Sequence, residues 1–147
     1  MYQIDLARVC HEAHRAYCLA RGDLSIPSWE TLAEWQRENV IVGVMVAYNN
    51  PALTPEELHE AWMAEKVAAG WTVGPVKAPD LKQHPCLIDF DDLKPEDQAK
   101  DELFIAIVRA LAPVTRPQVL PRDEVFQPVA QPGTVPVVEP PPKPEEQ

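Results

Sequence analysis

The chain reads as a mainly α protein: a small four-helix domain with a long irregular or short-strand loop between its third and fourth helices, followed by a disordered proline-rich tail. Three observations predict this. Apolar residues recur at helical spacing in four windows. Helix-stopping residues (Gly22, Asn49-Asn50-Pro51, Gly70, Pro113) close each window. Ten of the seventeen prolines fall at or after position 113, where a missing N–H and a fixed φ rule out helix and interior strand.

The elements follow in order. Residues 5–20 carry Leu6, Val9, Cys10, Ala13, Tyr17 and Ala20 on one stripe, and Gly22 ends that helix. Pro27 marks a turn. Thr31 and Glu34 have capping-box spacing, so a second helix begins there, or a turn earlier at Ser28, and runs to about Tyr48. Its run Val40-Ile41-Val42-Gly43-Val44-Met45-Val46 is apolar on nearly all sides, which predicts a central helix. The β-branched residues favour a strand as the competing assignment. The helix is preferred because no turn separates this run from Trp35-Gln36-Arg37-Glu38. The third helix has the strongest start, with Thr54 as N-cap, Pro55 at the first position and Glu57 three after the cap; it runs to Ala69, with Gly70 as its C′ residue. Residues 71–93 are irregular or short strand, longer than a compact domain tolerates without a functional reason. Lys94-Pro95-Glu96 opens the last helix, whose stripe is Leu103, Phe104, Ile107, Val108 and Leu111.

The domain therefore occupies residues 3–112, enough for one modest core, and residues 113–147 form an extended, polyproline-II-like tail. The apolar side chains of the tail are too interrupted to build a core and could dock on the domain or on a partner. The formal net charge of −10 argues against direct DNA or RNA binding, which needs clustered Lys and Arg. Between His59 and Cys86, however, Glu60, Glu65 and Asp80 are balanced by Lys66, Lys77 and Lys82, with His59 and His84 in addition. This least acidic segment is where a small anion would bind. Three cysteines (Cys10, Cys18, Cys86) without paired spacing indicate a reducing compartment. No signal-like run opens the chain, and residues 40–48 are too short to span a bilayer. The expectation is a soluble, cytoplasmic protein without a membrane partner.

The stretch from His59 to Leu93 carries most of the chemistry: His59, Trp62, Lys66, Gly70-Trp71, Gly74-Pro75, Lys77, Asp80, Lys82, His84-Pro85-Cys86-Leu87, Phe90 and Leu93. This series resembles the RyR domain, the repeat named after the ryanodine receptor, whose pattern is close to H-x-x-W-x-x-x-K-x-x-x-G-W-x-Y-G, an acid, a lysine, H-P-x-L and a final aromatic. Val73 stands where the family usually has Tyr, and Asp89-Phe90 where Pro-Tyr is common. The resemblance implies a helical RyR-repeat-like fold with its core motif over residues 54–112. It also implies an adenine-nucleotide or ADP-ribose-type ligand, and a stand-alone bacterial or bacteriophage protein that senses or sequesters such a signal in phage–host conflict. Because the receptors carry the repeats in tandem, a homodimer that rebuilds the pair is expected.

Candidate ligand contacts are weighed against plainer roles. Trp71 offers a flat face for an adenine or nicotinamide ring, or plugs a gap between loop and helices. Lys66, Lys77 and Lys82 could hold phosphates, or be solvated surface lysines. Trp62 and Lys66, four apart, share a helix face. His84 is extended by Pro85 and could donate to a ligand or tie the loop down; His59 could do either. His11 and Arg15 match the leading helix of bacterial and phage RyR-like proteins; Arg15 could grip a phosphate bidentately or simply pair with Glu12. His11, Glu12 and His14 do not have the HExxH spacing of a zincin. Asp89, Asp91 and Asp92 suit the start of the last helix. No nucleophile motif, P-loop or GxGxxG is present. The reading is thus a non-enzymatic binding module with neither catalytic residues, metal nor cofactor; the alternatives are a dimeric adaptor whose proline-rich tail binds a protein partner, and a nucleotide-processing enzyme using His11, His14 or His84.

Overall fold

The computed structural model describes residues 1–117, and the expectation of a disordered tail over residues 118–147 lies outside the described residues. Four α-helices are present: α1 (Gln3–Ala20), α2 (Glu34–Asn49), α3 (Pro55–Ala68) and α4 (Pro95–Leu111). Between α3 and α4, β1 (Thr72–Val73) and β2 (Gln83–His84) pair in parallel, with short 3₁₀ turns on either side of β2. The mainly helical four-helix architecture and the short-strand segment between α3 and α4 are as predicted.

The core is built where the stripes of α1, α2 and α4 meet. Leu6, Ala7 and Cys10 pack with Val44 and Ala47 of α2 and with Ile105 and Val108 of α4, and Trp29, Leu32 and Leu53 close the edges. α3 lies outside this trio, against α4 and the loop. Two glycines sit at left-handed φ, Gly22 at +84° and Gly70 at +85°. At each, the next amide bonds back five residues (Asp23 N to Cys18 O, 2.9 Å; Trp71 N to Lys66 O, 2.9 Å), the Schellman closure that only a residue without Cβ adopts cheaply. Thr54 and Glu57 form the predicted reciprocal cap at 3.2 and 3.4 Å.

Three details depart from the sequence reading. α2 starts at Glu34 rather than at Thr31 or Ser28, because the Thr31 and Ser28 hydroxyls bond one another in a 3₁₀ turn and the Gln36 side chain reaches back to the Ala33 amide. α2 is less enclosed than predicted: among the described residues only its Val44 and Ala47 are buried and Val46 is exposed, with α1 and α4 making its main contacts. Residues 113–117 begin as a packed turn: residues Ala112–Val114 form a 3₁₀ turn, Thr115 is buried with its carbonyl accepting from the Tyr48 hydroxyl (3.0 Å), and Arg116 N bonds Met1 O (2.8 Å). Among the described residues no helix is long and apolar enough to cross a membrane.

Candidate functional site

The loop that carries the motif is clamped at both ends by side chains that reach backbone carbonyls. At its start, Lys82 takes up left-handed backbone (φ +50°) and sends its ammonium 2.9 Å to the carbonyl of Ala69, the C-cap residue of α3. A cation there satisfies an orphan carbonyl at the negative end of the helix. At the other end, buried His59 places Nε2 2.8 Å from the Ile88 carbonyl. Its ring stacks on Trp62 (5.5 Å) and meets Phe90 (5.9 Å). Its Nδ1 lies 3.5 Å from an Asp101 carboxylate oxygen.

That last pair constrains a proton. The Ile88 carbonyl can only accept, so Nε2 carries hydrogen, and Nδ1 of a neutral ring would then face the carboxylate lone pair to lone pair. A proton on the Asp101 carboxyl turns this contact into a hydrogen bond donated to Nδ1. Burial pushes the Asp101 carboxyl up to about 6, opposed by the attraction of His59 and Lys100.

Between the clamps, His84 is oriented by its own turn. The Cys86 amide donates to His84 Nδ1 at 3.0 Å, and the Trp62 ring meets the imidazole edge-on at 5.0 Å. A neutral ring with an occupied Nδ1 acceptor carries its hydrogen on Nε2. Desolvation, reinforced by Lys77, Lys66 and Lys100, depresses His84 to about 4, so at neutral pH it presents a neutral N–H donor. His14, from α1, is depressed to about 4 by burial and by the charges of Lys100, His11 and Lys77. Lys77 is exposed, and its charge also acts on Lys66 and Asp23. Its ammonium has no ion pair among the described residues.

Lys66 extends this basic edge into an aromatic one. Its ammonium lies 4.6 Å from the Trp71 ring centre and 5.8 Å from that of Trp35 on α2. Burial lowers its proton affinity, and two indole faces partly compensate the lost hydration. Trp71 differs from an open stacking platform: it is buried, and Lys66 occupies its face. Trp35 is half-buried.

The structure sets Trp62 against His84 and Lys66 against Trp71, with the charge of Lys77 acting on His84 and Lys66; it adds His14, weighed in the sequence only as a catalytic candidate, and Trp35, which the reading had not placed there. The remaining candidates sit elsewhere or are engaged. His11 bonds the Pro27 carbonyl (2.8 Å) and packs on Trp29, fastening α1 to the following turn. Arg15 pairs with Glu12 at 3.3 Å, while Glu12 also accepts from the Trp29 amide at 2.6 Å, the main cause of its lowered carboxyl pKa. Asp89 closes a 3₁₀ turn with Asp92 N ahead of α4. A shallow groove of about 250 Å³ runs beside the cluster, lined by Arg21, Asp23, Lys94, Glu96, Asp97 and Lys100. Two of its cations are internally paired, Arg21 with Glu96 (3.3 Å) and Lys100 with Asp97 (3.1 Å). Among the described residues no three His, Cys, Asp or Glu side chains come together as metal ligands.

The arrangement of His59, Trp62, Lys66, Trp71 and His84 around one clamped loop agrees with the comparison to known families: residues 49–112 match the family model of the RyR domain. This segment is similar to the RyR domain. The matched stretch takes in α3, the loop and α4, which explains why the motif residues cooperate in holding that loop. Two further site residues, His14 and Trp35, come from α1 and α2, outside the RyR match.

Proposed function

We propose that this RyR-domain protein is a non-enzymatic binding module for an adenine nucleotide or an ADP-ribose-derived signal, acting as a sensor or sequestering protein in phage–host conflict. The observation that carries the reading is the continuity of the aromatic and basic edges. The Trp35–Lys66–Trp71 group leads into Lys77 and the neutral His84 Nε2–H, inside a protein of net charge −10. A flat ring finds indoles, and a phosphate finds a lysine without an ion pair among the described residues and a fixed N–H donor. Lys66 bridges both halves, so a ring that enters beside Trp35 and Trp71 frees its ammonium for a phosphate. The phage–host role rests on the resemblance alone.

A thermal-shift panel of ATP, ADP, cyclic mono- and dinucleotides, NAD, ADP-ribose and cyclic ADP-ribose isomers tests the reading, because a ligand that binds only the folded state raises the melting temperature. At least one member is expected to raise it, and Lys77→Ala is expected to cut that ligand's affinity about tenfold by removing a charged hydrogen bond. A panel without a shift at millimolar concentrations overturns the reading.

A second reading is favoured by Val67, Val73, Val76 and Leu81, all exposed on α3 and the loop. The domain would then be an adaptor that pairs with a second copy through these side chains and uses its proline-rich segment for a protein partner. Light scattering is expected to give twice the 16.5 kDa chain mass, returned to the single-chain value by Leu81→Asp. A single-chain mass for the wild type at high concentration removes this reading.

A further inference from the structure

The outward side of α2 is apolar, and the chain leaves the domain at one end of it. Val40, Ile41, Val44, Ala47 and Tyr48 of this helix face the core. At about 3.6 residues per turn, the opposite side carries Trp35, Asn39, Val42, Val46 and Asn49, a stripe spaced four, three, four and three without a charged side chain. Val46 is 42% exposed, Asn49 is exposed, and Trp35, Asn39 and Val42 are half-buried, so solvent reaches the stripe along its length. A cation stands at its Trp35 end: the Lys66 ammonium lies 5.8 Å from the indole centre. At the other end the Tyr48 hydroxyl donates to the Thr115 carbonyl (3.0 Å) and the Arg116 amide to the Met1 carbonyl (2.8 Å), which fixes residues 115–116 beside the last turn of α2.

The segment that follows suits this stripe in reach, chemistry and charge. Phe126 is nine residues beyond Pro117, and an extended proline-rich chain advances about 3.1 Å per residue, roughly 28 Å in all. Tyr48 back to Trp35 is thirteen residues of helix, a rise of about 20 Å. Phe126 therefore reaches Trp35 with length left to round the end of the helix. On the way come Val119-Leu120 and then Val125, apolar side chains that an exposed valine stripe can take up. Asp123-Glu124 directly precedes Val125-Phe126, so an aromatic contact at Trp35 brings two carboxylates to the Lys66 end. A proline-interrupted segment laid on an aromatic surface is a recurrent mode of recognition. We infer that residues 118–126 dock within their own chain along the outward face of α2, with Val119-Leu120 toward Val46 and Phe126 toward Trp35. The contact covers one indole of the candidate site and is autoinhibitory for a ligand that enters there; the docking itself does not depend on the nucleotide reading.

The test is photo-cross-linking of the full chain carrying p-benzoylphenylalanine in place of Phe126. Irradiation is expected to give a cross-link within one chain, at the single-chain mass, that peptide mapping places on α2 between Trp35 and Val46. Val46→Asp, at an exposed position, is expected to leave the melting temperature unchanged and to cut the cross-link severalfold. Leu120→Ser, which leaves the helices themselves unaltered, is expected to cut it as well, and decides the matter if Val46→Asp melts lower. A cross-link mapped to another element, or none above that of a urea-unfolded sample, overturns the inference. A product at twice the chain mass gives the stripe to a second copy and overturns it too. A cross-link on α2 that keeps its full yield in either variant marks chance proximity, with the same consequence.

Discussion

Replacing His59 with alanine is expected to lower the unfolding free energy by about 3 kcal/mol, combining a large-to-small core truncation with newly unpaired buried polar groups. His59 is 3% exposed and joins three parts of the molecule at once: the Ile88 carbonyl in the loop, Asp101 on α4, and the rings of Trp62 and Phe90. Truncation leaves a ring-sized space beneath Trp62 and removes the partner of a loop carbonyl and of a partly buried carboxylate. The loss should spread to the loop, because residues 84–90 are tied to α3 through this ring. Urea denaturation followed by far-ultraviolet circular dichroism checks the value. A loss under about 1 kcal/mol, the scale of an ordinary exposed substitution, would show that the loop is held by something other than the His59 clamp.

The second large effect is acid destabilisation governed by His14 and His84. Both are depressed to about 4 in the folded protein, against an ordinary value near 6.5 in the unfolded chain. A depressed group contributes stability that is complete above the unfolded pKa and disappears as pH falls through the folded one. The window is therefore pH 6.5 down to about 4. Each unit of difference corresponds to about 1.4 kcal/mol, reduced here because both rings are partly solvated, so the pair is expected to cost on the order of 2 kcal/mol. Asp101 acts in the opposite sense. Raised to about 6 in the fold, it contributes stability that is complete below the unfolded value near 3.9 and is lost as pH rises through 6. The two effects partly cancel between pH 4 and 6. Asp101→Asn removes the opposing one, and its amide can still donate to His59 Nδ1. The variant is expected to be more stable than wild type at pH 7 and to lose stability more steeply on acidification. A variant that is less stable at pH 7 would mean that Asp101 is ionised against a protonated His59 and holds it as an ion pair.

Much of this fold is legible in the residues because the signals are local. The stripe of α1, the Thr54-Pro55-Glu57 start of α3 and the Pro95 start of α4 are each complete within a few residues. The start of α2 is not, since Thr31 and Glu34 have the spacing of a cap while the Thr31 hydroxyl is turned to Ser28. Spacing alone does not say which of two nearby acceptors a hydroxyl chooses. The site is legible to a lesser depth for a related reason. His11, His59 and Lys82 all bond backbone carbonyls 13 to 29 residues away. Whether a polar side chain faces a ligand or a distant carbonyl is decided by tertiary packing. Trp35 joins the site only because α2 packs beside the RyR segment, and nothing in its own neighbourhood marks it; the His11-Glu12-His14 cluster marks His14, but not as a neighbour of this loop.

The central claim is that a nucleotide binds where the indoles of Trp35 and Trp71 meet Lys66, Lys77 and His84. It is tested most directly by calorimetric titration of the full chain with the panel member that raises the melting temperature most, alongside Lys77→Ala and Trp35→Ala. The account predicts saturable one-site binding to the wild type, weakened about tenfold by each substitution, on the scale of one charged hydrogen bond or one stacked base. Binding that both variants retain at wild-type affinity would place the ligand elsewhere on the domain and contradict the account.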